Sequence, residues 1–159
     1  MTSVISGVTP YLLKTPETRH GVPQKVLDRI AAAPTADWAA YFTEWNKNFF
    51  DLDVTLGSRI SAEAVQDAWN TTVGASPIAT VAGVATWHTD FRTDLSKIDI
   101  AVLILHGTED RALPIEACDP RTAELIPSNE YVAIEGADHG LCWTHADDVN
   151  AQSLRFFAD

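Results

Sequence analysis

Two cysteines and one methionine in 159 residues are the first scarcities of this chain. Cys118 and Cys142 are too few for a disulfide framework and have no zinc-site spacing. They are expected to be small buried hydrophobes in a reducing compartment. Basic residues are scarce as well: 11 Lys and Arg stand against 22 Asp and Glu, a formal net charge of −11. That balance argues against nucleic acid and anionic membranes as partners. The acidic residues are scattered, so they read as a solvated surface and not as a tail. No apolar run approaches the roughly 20 residues of a membrane span. Met1 to Pro10 carries no basic n-region, so a secretory leader is not expected and the expected compartment is cytoplasmic. No G-x-S-x-G segment occurs, which removes the usual signature of a serine nucleophile on a strand-to-helix turn.

Hydrophobic residues make up 46% of the chain and charged residues 21%, enough apolar content for one domain with a proper core. Ser3 to Leu13 alternates loosely and predicts a short strand ending near Pro10. Thr15 to Gly21 reads as a loop, with His20 a solvated loop histidine. A helix is predicted over 22–33, with Pro23 in its first turn and Pro34 as its breaker. Thr35 is the expected cap of a second helix over 36–50, which carries Trp38, Tyr41, Phe42, Trp45, Phe49 and Phe50. Spacings of three and four put most of these on one broad stripe. The stripe is either a packing face or the inner wall of a substrate pocket.

Asp51 to Arg59 reads as a loop. Ser61 caps a helix over 62–72, and Ser76-Pro77 starts another that runs to about His88. His88 is a cap or surface group. Thr89 to Asp99 is a polar connection. Ile100 to His106 is apolar almost throughout, as in a parallel strand buried on both faces. Pro114 to Leu125 should be helical but disturbed by Pro120. A strand over 130–135 and a helix over 146–157 follow. The fold class is therefore α/β, with about three parallel strands, flanking helices and an insertion of about four helices.

Loops at the C-terminal ends of parallel strands are where such sheets do chemistry. Asp110 and His139 lie in two such loops, on consecutive strands, twenty-nine positions apart. That distance holds a loop, a helix and a return strand, so the two side chains can meet. A carboxylate beside an imidazole fixes its tautomer and stabilises the imidazolium formed in proton transfer. His139 would be the general base and Asp110 its orienter. On spacing alone, a loop-capping Asp and a structural His turn remain equally open readings.

The segment Ile100-Ala-Val-Leu-Ile-Leu-His-Gly-Thr-Glu-Asp-Arg-Ala-Leu-Pro-Ile115 resembles the acid loop of the α/β-hydrolase superfamily. Together with Tyr131-Val-Ala-Ile-Glu-Gly-Ala-Asp-His-Gly-Leu-Cys-Trp-Thr-His145 it is similar to the cofactor-free bacterial haloperoxidases and their arylesterase relatives. Pro10 to Thr15, the Tyr41-Phe42 region, Asn70 to Pro77 and Thr86 to Phe91 look like the sixth strand, lid helices and lid exit of that family. The resemblance implies a partial α/β-hydrolase fold, with 1–15 and 96–159 as hydrolase core and 16–95 as a helical lid. It places Asp110 at the triad acid and His139 at the triad histidine, with Glu109 a competing carboxylate. It implies no cofactor and no metal. Trp38, Tyr41, Phe42, Trp45 and Trp143 are the candidate substrate-binding residues. His106-Gly107 would be a structural turn, and His145 a helix-cap or packing residue.

The chain departs from the family pattern by lacking the first five strands, the oxyanion loop and the serine elbow. Ser76 begins a lid helix without the second glycine, and Cys142 stands where a small packing residue is expected; neither is a strong substitute. The expectation is a truncated hydrolase, related to enzymes of serine-type ester hydrolysis or perhydrolysis, with weak or no activity as an isolated chain. The alternative is a non-catalytic binding or self-assembling module. Its partners would be a small-molecule ester or acid if active. The first strand would be an open edge with uncovered sheet faces beside it. Two-fold pairing into a homodimer, or addition of a complementing N-terminal half, would close that edge.

Overall fold

The computed structural model describes residues 1–158. Three strands, β1 (Thr2–Ile5), β2 (Val102–Gly107) and β3 (Asn129–Ile134), form a parallel sheet in the order β1-β2-β3. The register pairs Val4 with Ile104 and Leu105 with Val132. The expected strand from Ser3 onward is short because the chain leaves the sheet at Ser6, whose φ of 47° is left-handed.

Helices α1 (Gln24–Ala36), α2 (Trp38–Phe49), α3 (Leu52–Thr55), α4 (Ala62–Val73), α5 (Pro77–Val84) and α6 (Arg92–Leu95) separate β1 from β2. Four of these have eight residues or more, as expected, and α3 and α6 are single turns inside segments read as loop and polar connection. Three boundaries differ from expectation. Pro34 does not break α1, which continues past it for two residues to Ala36. Asp37, not Thr35, caps α2 by accepting from the Ala40 N–H at 2.9 Å. Helix α5 stops at Val84 and not near His88. Ser61 and Ser76 do cap α4 and α5, accepting from Ala64 and Ala79.

After β2 come a 3-10 turn (Ile115–Ala117) and α7 (Asp119–Ala123) in place of one longer helix, then β3, α8 (Leu141–Thr144) and α9 (Ala146–Ala158). Pro120 sits in the first turn of α7, where its missing N–H costs nothing.

The sheet is covered on both faces. Leu103, Leu105 and Ile134 pack with Leu141, Val149 and Phe156 of α8 and α9 on one side. Val102 and Ile104 pack with Leu95, Ile126 and Ala123 on the other. Every β2 residue is buried, which differs from the bare faces expected. Val102, Leu103, Ile104 and Leu105 each contribute roughly 1.5–3 kcal/mol by leaving water. The remaining exposure lies on β1 and β3, whose residues are mostly half-buried. Among the described residues no strand pairs with the outer edge of β1. Among the described residues no helix is long and apolar enough to cross a membrane.

Candidate active site

Gly107 ends β2 at a point where the acid and histidine loops touch backbone to backbone. A Cβ there would collide with the Ala137 carbonyl oxygen and lie 2.6 Å from its carbon and 2.8 Å from the Asp138 oxygen. Glycine alone allows this approach. The Glu109 N–H then reaches the Ala137 carbonyl at 3.0 Å, and the Gly136 N–H reaches Thr108 Oγ1 at 2.8 Å. These bonds fix the two loops to each other.

The result is a direct pair. His139 Nδ1 lies 2.7 Å from Asp110 Oδ2, with the Asp110 side chain fully buried and the His139 ring 21% exposed. The Leu113 N–H donates to Asp110 Oδ1 at 2.7 Å, so both carboxylate oxygens are held. The Phe49 ring meets the His139 ring edge-to-face at 4.8 Å, and the Gly140 N–H donates to the Phe49 carbonyl at 2.9 Å. Helix α2 is thereby tied to the histidine loop. Arg111 adds a clamp on the acid loop, with Nε 3.1 Å from Asp51 and Nη1 2.6 Å from Asp53. Glu109, the competing carboxylate, is exposed.

Behind Asp110 stands a group that the sequence reading took for a turn. His106 is fully buried, with Nδ1 2.8 Å from Asp119 Oδ2 and Nε2 3.0 Å from the Leu113 carbonyl and 3.3 Å from Asp110 Oδ2. Asp119 Oδ2 also accepts from the Gly7 N–H at 3.3 Å. The signal available in the sequence was a lone polar residue inside an otherwise apolar strand, which must find partners when buried.

His139 opens onto a cavity of about 680 Å³, within the range of small-molecule sites. Tyr41, Trp45, Trp87, Val26 and Ile30 supply its apolar wall, and Ser6, His20, Glu44, Asn48 and Arg111 its polar points. Ser6 is a residue the sequence reading passed over. It stands at the end of β1 with its Oγ buried and without a hydrogen-bond partner among the described residues.

The five aromatic candidates separate. Tyr41 and Trp45 line the cavity with His139. Trp38 and Phe42 do not: Trp38 Nε1 donates to the Val73 carbonyl at 2.9 Å, and Phe42 is buried against Trp38. Trp143 is 58% exposed and borders a separate depression with Phe49 and Ile60. Positions 41, 44, 45 and 48 share one helix face, whereas 38, 42 and 46 point toward packing. Ser76 and Cys142 lie outside the cavity lining, and Cys142 is exposed, unlike the buried hydrophobe expected of it. His145 caps α8 and bonds Thr144 Oγ1 at 3.0 Å. Among the described residues no group of three or more His, Cys, Asp or Glu could hold a metal ion.

Burial opposes the charge on Asp110, but His106 and His139 outweigh it and hold the carboxyl down at about 2. Its stabilising effect is complete above the ordinary aspartate range and is lost as pH falls toward 2. Burial pulls His106 down, but Asp110 and Asp119 outweigh it and hold the ring up at about 9. That contribution is complete below the ordinary histidine range and is lost as pH rises through 9. Burial pushes Asp51 up to about 6 against the pull of Arg111. Burial also raises Asp119 and Asp138. These three carboxyls favour the fold more as they gain protons. The melting temperature is therefore expected to fall between about pH 6 and pH 9, as His106 and these carboxyls lose their protons. Differential scanning fluorimetry across that range checks it; a Tm still rising at pH 9 would contradict the assignment.

The raised Asp119 and the raised His106 compete for one proton on the line between them. The Gly7 N–H donated to Asp119 favours the carboxylate, so we place the proton on His106.

No family model matches the chain. It is 45% identical over 153 residues to a Synechocystis sp. protein carrying a non-heme chloroperoxidase name, covering 96% of this chain and 55% of the relative. It is 30% identical to a non-heme chloroperoxidase of Streptomyces lividans, covering 96% and 56%. The structure superposes on a bromoperoxidase from Bacillus anthracis with a TM-score of 0.90 at 32% identity, over 99% of this chain and 57% of that one. An esterase from Exiguobacterium antarcticum shares the fold at a TM-score of 0.87 and 19% identity. Sheet, flanking helices and strand-end loops define an α/β-hydrolase fold. Within that class, the chain is similar to part of the non-heme haloperoxidases. It spans about half the length of the curated relatives it matches.

Proposed function

We propose that this chain supplies the acid–histidine half, and the lid side of the pocket, of a serine-type ester hydrolase or perhydrolase site. The observation that carries the reading is the 2.7 Å bond between His139 Nδ1 and buried Asp110, on a ring that opens into an apolar cavity. With Nδ1 held by the acid, Nε2 is the ring nitrogen left to work on substrate. In a complete site Nε2 takes the proton of a serine hydroxyl as its oxygen attacks the ester carbonyl. It returns that proton to the leaving alcohol when the tetrahedral adduct collapses to an acyl-enzyme. Water then attacks to release the acid, or hydrogen peroxide attacks to release a peracid. Relatives of this chain carry both haloperoxidase and esterase/perhydrolase names, which supports either second nucleophile.

The acyl or alcohol part would lie against Tyr41, Trp45 and Trp87, so the favoured substrates are small and apolar or aromatic. Ser76, at a lid helix start, is not the nucleophile. The serine and its oxyanion donors would come from strands that add to the free edge of β1. Without them most of the rate enhancement is absent.

The isolated chain is therefore expected to hydrolyse p-nitrophenyl acetate slowly, through His139 acting as a general base on water. His139→Ala should remove that rate, measured by release of p-nitrophenol at pH 7.5 to 8, about one unit above the ordinary histidine range. Equal rates for both proteins would refute a histidine-dependent site.

A further inference from the structure

We propose that His106, held by Asp119, is a positioning residue that shares Asp110 Oδ2 with His139 and so limits how strongly Asp110 supports the His139 imidazolium. The proposal rests on reading Asp110 and His139 as the catalytic pair, but its readout is not catalysis.

Four side chains stand in one line: Asp119, His106, Asp110 and His139. The links are 2.8 Å from Asp119 Oδ2 to His106 Nδ1, 3.3 Å from His106 Nε2 to Asp110 Oδ2, and 2.7 Å from that same oxygen to His139 Nδ1. The side chains of Asp119, His106 and Asp110 are fully buried, so water does not screen the line.

Proton positions follow from what each neighbour can do. His106 Nε2 faces the Leu113 carbonyl and the Asp110 carboxylate, and both only accept. Nε2 therefore donates. Nδ1 faces Asp119 Oδ2, which already accepts from the Gly7 N–H, so Nδ1 donates as well. The ring is an imidazolium. The titratable groups facing it are Asp110 and Asp119. His139 meets Asp110 and the Phe49 ring, and shares its cavity with Arg111 and Glu44.

A cation donating to Asp110 Oδ2 draws charge from the oxygen that stabilises the protonated His139. A carboxylate serving His139 alone would hold the proton harder. Asp119 keeps His106 charged and so keeps it donating to Asp110. If His106 served only to fill the core and anchor α7 to β2, its replacement would change stability and leave His139 titrating as before.

The experiment is a histidine ¹⁵N–¹H NMR titration of the full chain and of His106→Gln and Asp119→Asn. In the unmodified protein both His106 nitrogens should stay protonated across about pH 5–8 while other histidines titrate. In His106→Gln the midpoint of the His139 titration should move up by about one unit. In Asp119→Asn, His106 should lose a proton within the neutral range and the His139 midpoint should move up by less. A neutral His106 at pH 6 in the unmodified protein overturns the proposal. So does a folded His106→Gln that melts lower but leaves the His139 midpoint in place. If His106→Gln does not fold, the unmodified ring spectrum and Asp119→Asn decide. Absent ester hydrolysis would count against the proposed function and leave this result standing.

Discussion

Gly107→Ala is expected to cost about 3 kcal/mol of stability, the upper end of ordinary overpacking, and to lower Tm by roughly 10 °C. The added methyl would meet the carbonyl of Ala137 and the Asp138 oxygen, which are backbone atoms and cannot rotate away. Either β2 or the histidine loop must shift. The first bond to stretch is Glu109 N–H to the Ala137 carbonyl, and Asp110 and His139 flank it in sequence. The 2.7 Å pair should therefore open together with the loss of stability. Thermal melts and the His139 ring signals read the two effects separately. A Gly107→Ala chain that melts like the unmodified protein and keeps the Asp110 bond would show that the two loops are not braced through this contact.

The same contact explains why part of the site was legible in the sequence. Asp110 and His139 are marked by position: each follows an apolar strand, at the end where parallel sheets place chemistry. Strand β2 was legible because its apolar run has no alternation; of the four α9 residues expected to face the sheet, Val149 and Phe156 do, whereas Leu154 and Phe157 are exposed. His106 and Asp119 were not legible as partners. Thirteen positions separate them, and only burial of both turns two polar residues into a pair. The aromatic stripe of α2 was legible as a stripe, but not which edge met the cavity. That depends on how α4 sits against Trp38 and Phe42, a tertiary matter that helical spacing does not encode. Boundaries were lost for local reasons. Helix α1 continues two residues past Pro34, and Asp37 outcompetes Thr35 as a cap because it reaches the Ala40 N–H. Ser6 was passed over because it falls inside the strand expected to end near Pro10, and its left-handed φ is visible only in the backbone.

The open edge of β1 leads to the second large effect. Joined to the part of the Synechocystis relative that it does not cover, this chain should gain ester hydrolysis by at least about 10³-fold over the chain alone. The 45% identity over 153 residues makes that relative a suitable donor, since contacts across the new edge would be largely kept. The gain is expected because a serine and its oxyanion donors would add to a pair already held in place. His139 would then change from a weak base acting on water to the partner of a nucleophile, and Asp110 would stabilise the imidazolium at each proton transfer. A serine-directed fluorophosphonate should label the hybrid and leave the isolated chain unlabelled.

The most direct test is kcat/KM for p-nitrophenyl acetate in that hybrid, with and without His139→Ala. The account predicts that the substitution removes at least about 10³-fold of the activity while the protein stays folded. A folded, fluorophosphonate-labelled hybrid that hydrolyses the ester equally well without His139 would contradict it.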